Sequence, residues 1–370
     1  MNFPELAYIS WAKSLPRAAI NLGRSGIDHC PASLLGLKAS DLVATLPVKY
    51  GYPPLREAIG ARYGVPAARV FPLSGGTSYA NWIACAAVLD GCGRGAEVIV
   101  ERPTYEPLLR IPQALGHRIR RLDRRFQDGY AVDLDRFAAL VTSRTRLAIV
   151  TNLHNPSGVR IGMAALRAMA ALLARVGGYL LVDEVYLECL FRGRPESCVH
   201  AGPNVLATNS LTKAYGLDGL RAGWILGPAD LIARAETIND LMANNSVAPG
   251  EQMALAALRR HRDIDARAHR ILDPNLARVC AWLAREPRLQ TVVPPGGNVL
   301  FPRLPPTIDA DRLAAHLFKR YSTLVVPGRF FESPRHIRLS YGCRPPLLER
   351  GLRNISGALD ALILARREGG

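Results

Sequence analysis

An α/β fold is predicted, with a mainly parallel sheet flanked by helices and a smaller α+β domain beside it, and three observations carry that prediction. Short β-rich runs alternate with helical patterns through the first part of the chain, and the alternation stops after Gly223. The composition supplies the core: 49% of the 370 residues are hydrophobic and 21% charged, as in globular proteins.

Helical periodicity marks 53–63, 77–90, 104–115, 133–142 and 162–176. Interleaved with them, the β-rich runs are 97–101 (EVIVE), 118–122, 147–152 (LAIVTN), 179–184 (YLLVDE) and 204–210 (NVLATNS), and a further segment ends at Leu73. Strands that alternate with helices pair in parallel through right-handed crossovers, which buries both faces of the sheet. Beyond Gly223 the pattern changes to amphipathic helices over 229–244 and 250–285, short strands near 289–293, 298–302, 323–326 and 336–340, and helices over 309–320 and 346–366. We therefore expect a large α/β domain over 41–245 and a smaller α+β domain made of 1–40 and 246–370, joined by a long helix. The first 40 residues carry no central-strand signal and are expected to pack on the smaller unit.

Charge and cysteine usage narrow the function classes. The formal charge is +16, yet only five of the 47 basic residues are lysine (13, 38, 49, 213, 319) and the arginines are spread over nearly every helix. Two denser stretches run over 117–126 and 259–270. An arginine-rich solvated surface accounts for this distribution, and no nucleic-acid partner is expected. Seven scattered cysteines form no C-x-x-C pair, which reads as reduced thiols in a cytoplasmic protein. The first residues have neither a basic nor an apolar signal region, and apolar stretches such as 164–182 are interrupted, so no membrane partner is expected. No metal-ligating motif is found.

Ligands of open parallel sheets bind beyond the carboxyl ends of the strands, and the reactive residues lie there. Ser74-Gly75-Gly76-Thr77-Ser78 opens a helix, where backbone N–H groups and the helix dipole suit a phosphate; taken alone, a plain strand-to-helix turn is the better account of it. At the end of the apolar run 180–182, Asp183 is costly to bury unless it is paired with a cation or a protonated ring nitrogen. Lys213 follows another strand, with Arg221 eight residues on. A lysine in a closed site loses its proton readily and forms imines with carbonyls, which guanidinium cannot do. An imine-forming lysine, a carboxylate for a ring nitrogen and a phosphate cradle together are what pyridoxal 5′-phosphate requires.

With these residues in view, the chain resembles the class I/II aminotransferases of the fold-type-I pyridoxal-phosphate enzymes, from about Asn21 to the C-terminus. The resemblance rests on Tyr50-Gly51-x-x-x-Leu55-Arg56, Ser74-Gly75-Gly76-Thr77-Ser78, Pro103-x-Tyr105, Asn152-x-x-Asn155-Pro156-x-Gly158, Asp183-Glu184-x-Tyr186, Ser210-x-x-Lys213 with Arg221, and His336-Ile337-Arg338-Leu339-Ser340. It implies a seven-stranded sheet in the large domain, a homodimer, and transamination between an L-amino acid and a 2-oxo acid through a ping-pong cycle. It further implies that Lys213 holds the cofactor as an aldimine and shuttles the proton, that Asp183 keeps the pyridine nitrogen protonated, and that Tyr186 and Asn155 bond the ring hydroxyl. Tyr105 would stack on the ring. Gly76, Thr77, Ser210 and Arg221 would hold the phosphate, Tyr50 would reach the partner subunit's phosphate, and Arg338 would anchor the substrate carboxylate. A lyase, decarboxylase, cyclase or oxidase acting on an amino acid with the same apparatus is the alternative.

Several positions depart from the family pattern. Leu153 stands where proline is common, Tyr50 directly precedes Gly51, which makes Tyr52 a rival for its role, and Gly26 in Ser25-Gly26-Ile27 is a candidate to offer its N–H to the substrate carboxylate, a plain turn being the other reading. Asn298 is a candidate to face the substrate, His154 to pack behind the site, and 244–246 to approach a neighbouring subunit.

Overall fold

The structure, a computed structural model, describes residues 3–46, 51–190 and 196–368. The chain opens with α1 (Ala7–Ser14), a two-residue strand β1 (Ile20–Asn21) and α2 (Pro53–Tyr63). There follow β2 (Val70–Ser74), α3 (Gly76–Leu89), β3 (Glu97–Arg102), α4 (Glu106–Ala114), β4 (Arg118–Asp123), α5 (Leu134–Leu140), β5 (Thr145–Thr151), α6 (Met163–Ala174), β6 (Tyr179–Asp183), β7 (Val205–Ser210) and β8 (Ala222–Leu226). β2 to β8 form a seven-stranded sheet in the order β2-β8-β7-β6-β5-β3-β4. β8 runs antiparallel to both β2 and β7, and the other neighbours are parallel. The central strands are buried on both faces: Leu147, Ala148 and Ile149 of β5 and Leu180, Leu181 and Val182 of β6 are 0% exposed, as a sheet covered by helices on both sides requires.

The second part of the chain contains α7 (Ala229–Asp240), α8 (Ala248–Arg259), α9 (His261–Leu283), β9 (Val299–Leu300), α10 (Ala310–Tyr321), β10 (Thr323–Leu324), β11 (Val326–Pro327), β12 (Ile337–Ser340) and α11 (Pro345–Glu368). β11, β12 and β9 make a small antiparallel sheet. β1 pairs in parallel with β10, so the N-terminal segment is bound into this part of the fold. Among the described residues, no helix is long and apolar enough to cross a membrane.

Three elements differ from expectation. The helix expected over 250–285 is two helices, because Arg260 leaves helical geometry (φ −105, ψ 21); its guanidinium lies so close to Gly36 that a Cβ there would fall 2.4 Å from Nη2. The strand expected over 289–293 is reduced to an isolated bridge between Gln290 and Arg303, because Pro294 and Pro295 follow at once and lack ladder donors. β8 was not anticipated: it returns antiparallel after a loop, without the crossover helix on which the alternation argument relies.

Candidate active site

The carboxyl ends of β2, β6 and β7 open on a cavity of about 200 Å³, lined by Thr77, Tyr105, Asn155, Asp183, Tyr186 and Lys213 among others. Gly75 and Gly76 make the turn from β2 into α3 with φ of 152 and 69, values that glycine adopts without a Cβ clash. Their N–H groups donate to the Arg221 carbonyl at 2.6 and 2.7 Å, and Arg221 Nη2 donates back to the Gly75 carbonyl at 2.6 Å. Close approach is a condition of this turn: a Cβ on Gly223 of β8 would lie 2.8 Å from the Gly76 carbonyl carbon. Beside it, Thr77 Oγ1 donates to Ser210 Oγ at 2.7 Å and Ser210 Oγ to Thr212 Oγ1 at 2.9 Å. The N-terminus of the 14-residue α3, three hydroxyls and a guanidinium form a cradle suited to a phosphate dianion.

Asp183, the last residue of β6, is 4% exposed. Its Oδ2 accepts from Asn81 Nδ2 at 2.8 Å and its Oδ1 from the Val185 N–H at 3.0 Å, while Asn81 is itself oriented by Thr208. Burial pushes the carboxyl up to about 6, against the opposing pull of the Asn81 hydrogen bond. Lys213 Nζ donates to Ser25 Oγ at 2.8 Å; burial, aided by the nearby Arg338 guanidinium, lowers the amine to about 8. The buried Tyr186 hydroxyl has no partner in good hydrogen-bond geometry among the described residues, the Ser25 hydroxyl being its polar neighbour.

Arg338 on β12 is 1% exposed and donates to Asn155 Oδ1 at 3.1 Å, the Tyr8 hydroxyl at 2.8 Å and the Gly23 carbonyl at 3.0 Å. Its guanidinium carbon stands 4.9 Å from the Phe331 ring centre. No carboxylate among the described residues lies within ion-pair distance of it, so a buried cation is left to be balanced by an incoming anion. Tyr105, at the start of α4, meets Tyr8 edge to face at 6.1 Å. Gly26 lines an adjoining cavity together with Lys213, and Asn298 does not face that space with its amide but donates to the Ser25 carbonyl at 2.8 Å.

Thus Gly76, Thr77, Tyr105, Asn155, Asp183, Tyr186, Ser210, Lys213, Arg221 and Arg338 are brought to one region of the fold, with Gly26 at its edge. Tyr50 lies outside the described residues. Tyr52 donates its N–H to Glu251 at 2.7 Å at the start of α2. His154 is buried behind the cavity, bonded to Ser157 and to the Pro103 carbonyl, and burial holds its pKa well below the usual value. Sequence reasoning missed Tyr8, Ser25, Asn81 and Thr208. Tyr8 sits on α1, which has no fully buried residue, and Asn81 lies one turn into α3, a position whose spacing from Gly76 was the available signal.

The donor set fits pyridoxal 5′-phosphate: an amine able to form an imine, a buried carboxylate, an anion cradle and an orphaned phenol that an acceptor on the ligand would satisfy. Fold and site define a pyridoxal-phosphate-dependent enzyme of fold type I. The chain belongs to the family described as aminotransferase class I and II, whose model matches residues 26–355. It is 33% identical to capreomycidine synthase of Streptomyces vinaceus, over 85% of this chain and 81% of that protein. With the arginine–pyruvate transaminase of Pseudomonas aeruginosa it shares 30% identity, over 71% and 68% respectively. A solved PLP-dependent cyclase superposes with a TM-score of 0.87 at 28% identity, covering 98% of each chain. The cofactor is pyridoxal 5′-phosphate.

Proposed function

We propose that the protein removes the α-proton of an L-amino acid and moves its amino group to a 2-oxo acid. The observation that carries this reading is the convergence of the Lys213 amine and the Asp183 carboxylate on one cavity of about 200 Å³, with the unbalanced Arg338 guanidinium bonded to Asn155 and Tyr8 of its wall. When bound, the coenzyme supplies an aldehyde for imine formation and a ring that takes up the electrons of the broken Cα–H bond. Thr77, with Ser210 and Arg221, holds a phosphate through a backbone N–H, a hydroxyl and a guanidinium, while the Gly76 N–H, given to the Arg221 carbonyl, fixes the turn that presents them. Asp183, ionised at neutral pH with its pKa at about 6, presents negative charge that keeps a ring nitrogen protonated. Tyr186 and the Asn155 amide donate toward an oxygen acceptor, and Tyr105 walls the ring. Arg338 binds the substrate carboxylate in two-point fashion and so orients the Cα–H bond. Lys213, with its pKa lowered to about 8, takes the α-proton on Nζ and returns it.

A second reading, ring formation on an amino acid without transfer of its nitrogen, is favoured by the 33% identity with capreomycidine synthase and the 28% identity with the PLP-dependent cyclase. It uses the same proton removal at Cα. Incubation of the holoenzyme with a panel of amino acids, arginine included, with and without pyruvate or 2-oxoglutarate, separates the two by mass spectrometry. Transamination gives one 2-oxo acid per new amino acid and turns over only with an acceptor. A cyclic, nitrogen-retaining product formed at equal rate without any acceptor establishes the second reading and refutes the first.

A homodimer is part of the proposal. Leu241, Met242 and Val247, apolar side chains that flank the polar 244–246, are 86%, 54% and 58% exposed, and a second copy of this chain would cover them. Sedimentation at micromolar concentration gives twice the chain mass of 40.3 kDa if this is right.

A further inference from the structure

A second pocket, of about 390 Å³, lies apart from Lys213, between the loop that follows β4 and the segment that leads into β12. Its wall carries five guanidiniums, Arg102, Arg124, Arg125, Arg303 and Arg335, against two carboxylates, Asp123 and Glu332. Both carboxylates are already engaged: Asp123 accepts from Arg102 at 2.6 and 2.9 Å, and Glu332 is paired with Arg121. Arg124 is turned inward to Glu101 at 2.8 Å. Among the described residues no carboxylate lies within ion-pair distance of Arg125, Arg303 or Arg335. Arg125 and Arg335 are exposed, and Arg303 lies over the Phe126 ring at 5.4 Å.

Uncommitted buried donors surround the same space. His336, 9% exposed, stacks on Phe301 at 4.6 Å, and its ring nitrogens have no partner in good hydrogen-bond geometry, the Ser333 backbone lying beside them. The Tyr130 hydroxyl and Arg124 Nη2 are likewise buried and unpartnered. Polar groups left unpaired inside a protein cost stability, so a cluster of them around a cationic pocket points to a ligand. The free guanidiniums come from three separate segments, after β4, after β9 and before β12. Donors arriving from several sides suit a tetrahedral anion, which accepts in every direction, better than a carboxylate, which accepts in one plane.

We propose that this pocket is a binding site for a small phosphorylated metabolite, whose phosphoryl oxygens accept hydrogen bonds from Arg125, Arg303, Arg335 and His336. The site is distinct from the coenzyme's cradle: the Glu101–Arg124 pair and His154 lie between it and the lysine cavity, with Glu101 also bonded to Thr151 on the active-site side. It also gives a use to the basic stretch 117–126, which the reaction at Lys213 does not engage.

The test is calorimetric titration of the holoenzyme, its coenzyme site filled, with pyrophosphate and separately with citrate at ~150 mM salt, where non-specific charge effects are screened. Saturable one-to-one binding of pyrophosphate is expected, weakened at least about tenfold in the double variant Arg303→Ala/Arg335→Ala, with turnover of the amino acid substrate unchanged. The variant Arg125→Ala/Arg335→Ala, altered only at exposed side chains, gives the same result where the first does not fold. Absence of saturable binding up to ~10 mM pyrophosphate, or binding that survives both variants, overturns the site. Tighter binding of citrate than of pyrophosphate overturns the phosphoryl assignment.

Discussion

Replacing Lys213 with methionine removes an amine that the fold has taken out of water, and the consequence for stability can be worked out. The pKa falls from an ordinary 10.5 to about 8, chiefly through burial, and a depression of about 2.5 pH units corresponds to about 3 kcal/mol of native-state penalty on the charged form. The sign follows from which state sheds the proton first. Below pH 8 both folded and unfolded lysine are protonated and the penalty is present in full. Between 8 and 10.5 the folded amine is neutral while the unfolded one is still charged, so stability rises with pH, and above 10.5 the penalty is gone. Methionine also forfeits the hydrogen bond to Ser25 Oγ, about 1 kcal/mol. The cofactor-free Lys213→Met protein should therefore be about 2 kcal/mol more stable than the parent at pH 7, with the gap closing at pH 9.5. Urea denaturation at the two pH values measures it. A variant that is less stable at pH 7, or a gap that does not shrink with pH, refutes the account of a desolvated lysine. The same shift has a catalytic meaning, because at pH 7.5 about a quarter of the amine is neutral, against about one part in a thousand at the ordinary pKa.

Arg338→Met should lower kcat/KM for amino acids by about 100- to 1000-fold, through loss of a charge-assisted two-point contact. An amine substrate without a carboxylate should react equally with parent and variant, and equal losses for both would place Arg338 outside carboxylate binding. Because Arg338 contributes to the lowered pKa of Lys213, the same variant should raise that pKa above about 8, read from the pH dependence of aldehyde labelling of the cofactor-free protein. Gly223→Ala pushes a Cβ to 2.8 Å from the Gly76 carbonyl carbon; coenzyme affinity, followed by fluorescence titration, should fall about tenfold or more, given the ~1–3 kcal/mol that overpacking costs. Glu101→Leu leaves Arg124, 0% exposed in its side chain, without its carboxylate, and should destabilise the fold by about 3–5 kcal/mol in chemical denaturation.

The site residues legible in the sequence were those that break a local rule. Asp183 stands out because a carboxylate ends a run of residues that are 0% exposed, and Lys213 because the chain otherwise prefers arginine. Gly75 and Gly76 stand out because paired glycines at a strand-to-helix boundary imply a backbone that must turn and be approached, as the positive φ values and the nearness of Gly223 bear out. Periodicity exposed the parallel strands because a strand covered on both faces reads as a continuous apolar run. What stayed hidden depends on partners distant in sequence. Tyr8 reaches Arg338 across 330 positions and has no unusual neighbour to mark it; Asn298 is marked by the glycines before it, but its reach to Ser25 across 273 positions is not. The break at Arg260 is of the same kind, since the contact with Gly36 that accompanies it lies more than 200 residues away. The arginine-rich stretch 117–126 shows the difference most clearly. Its composition alone fits a solvated surface, but Arg303, Arg335 and His336, contributed from the far end of the chain, turn one side of it into a walled pocket. Local chemistry identifies which residues are costly to place; only the fold decides whether remote residues offset that cost internally or leave it for a ligand to meet.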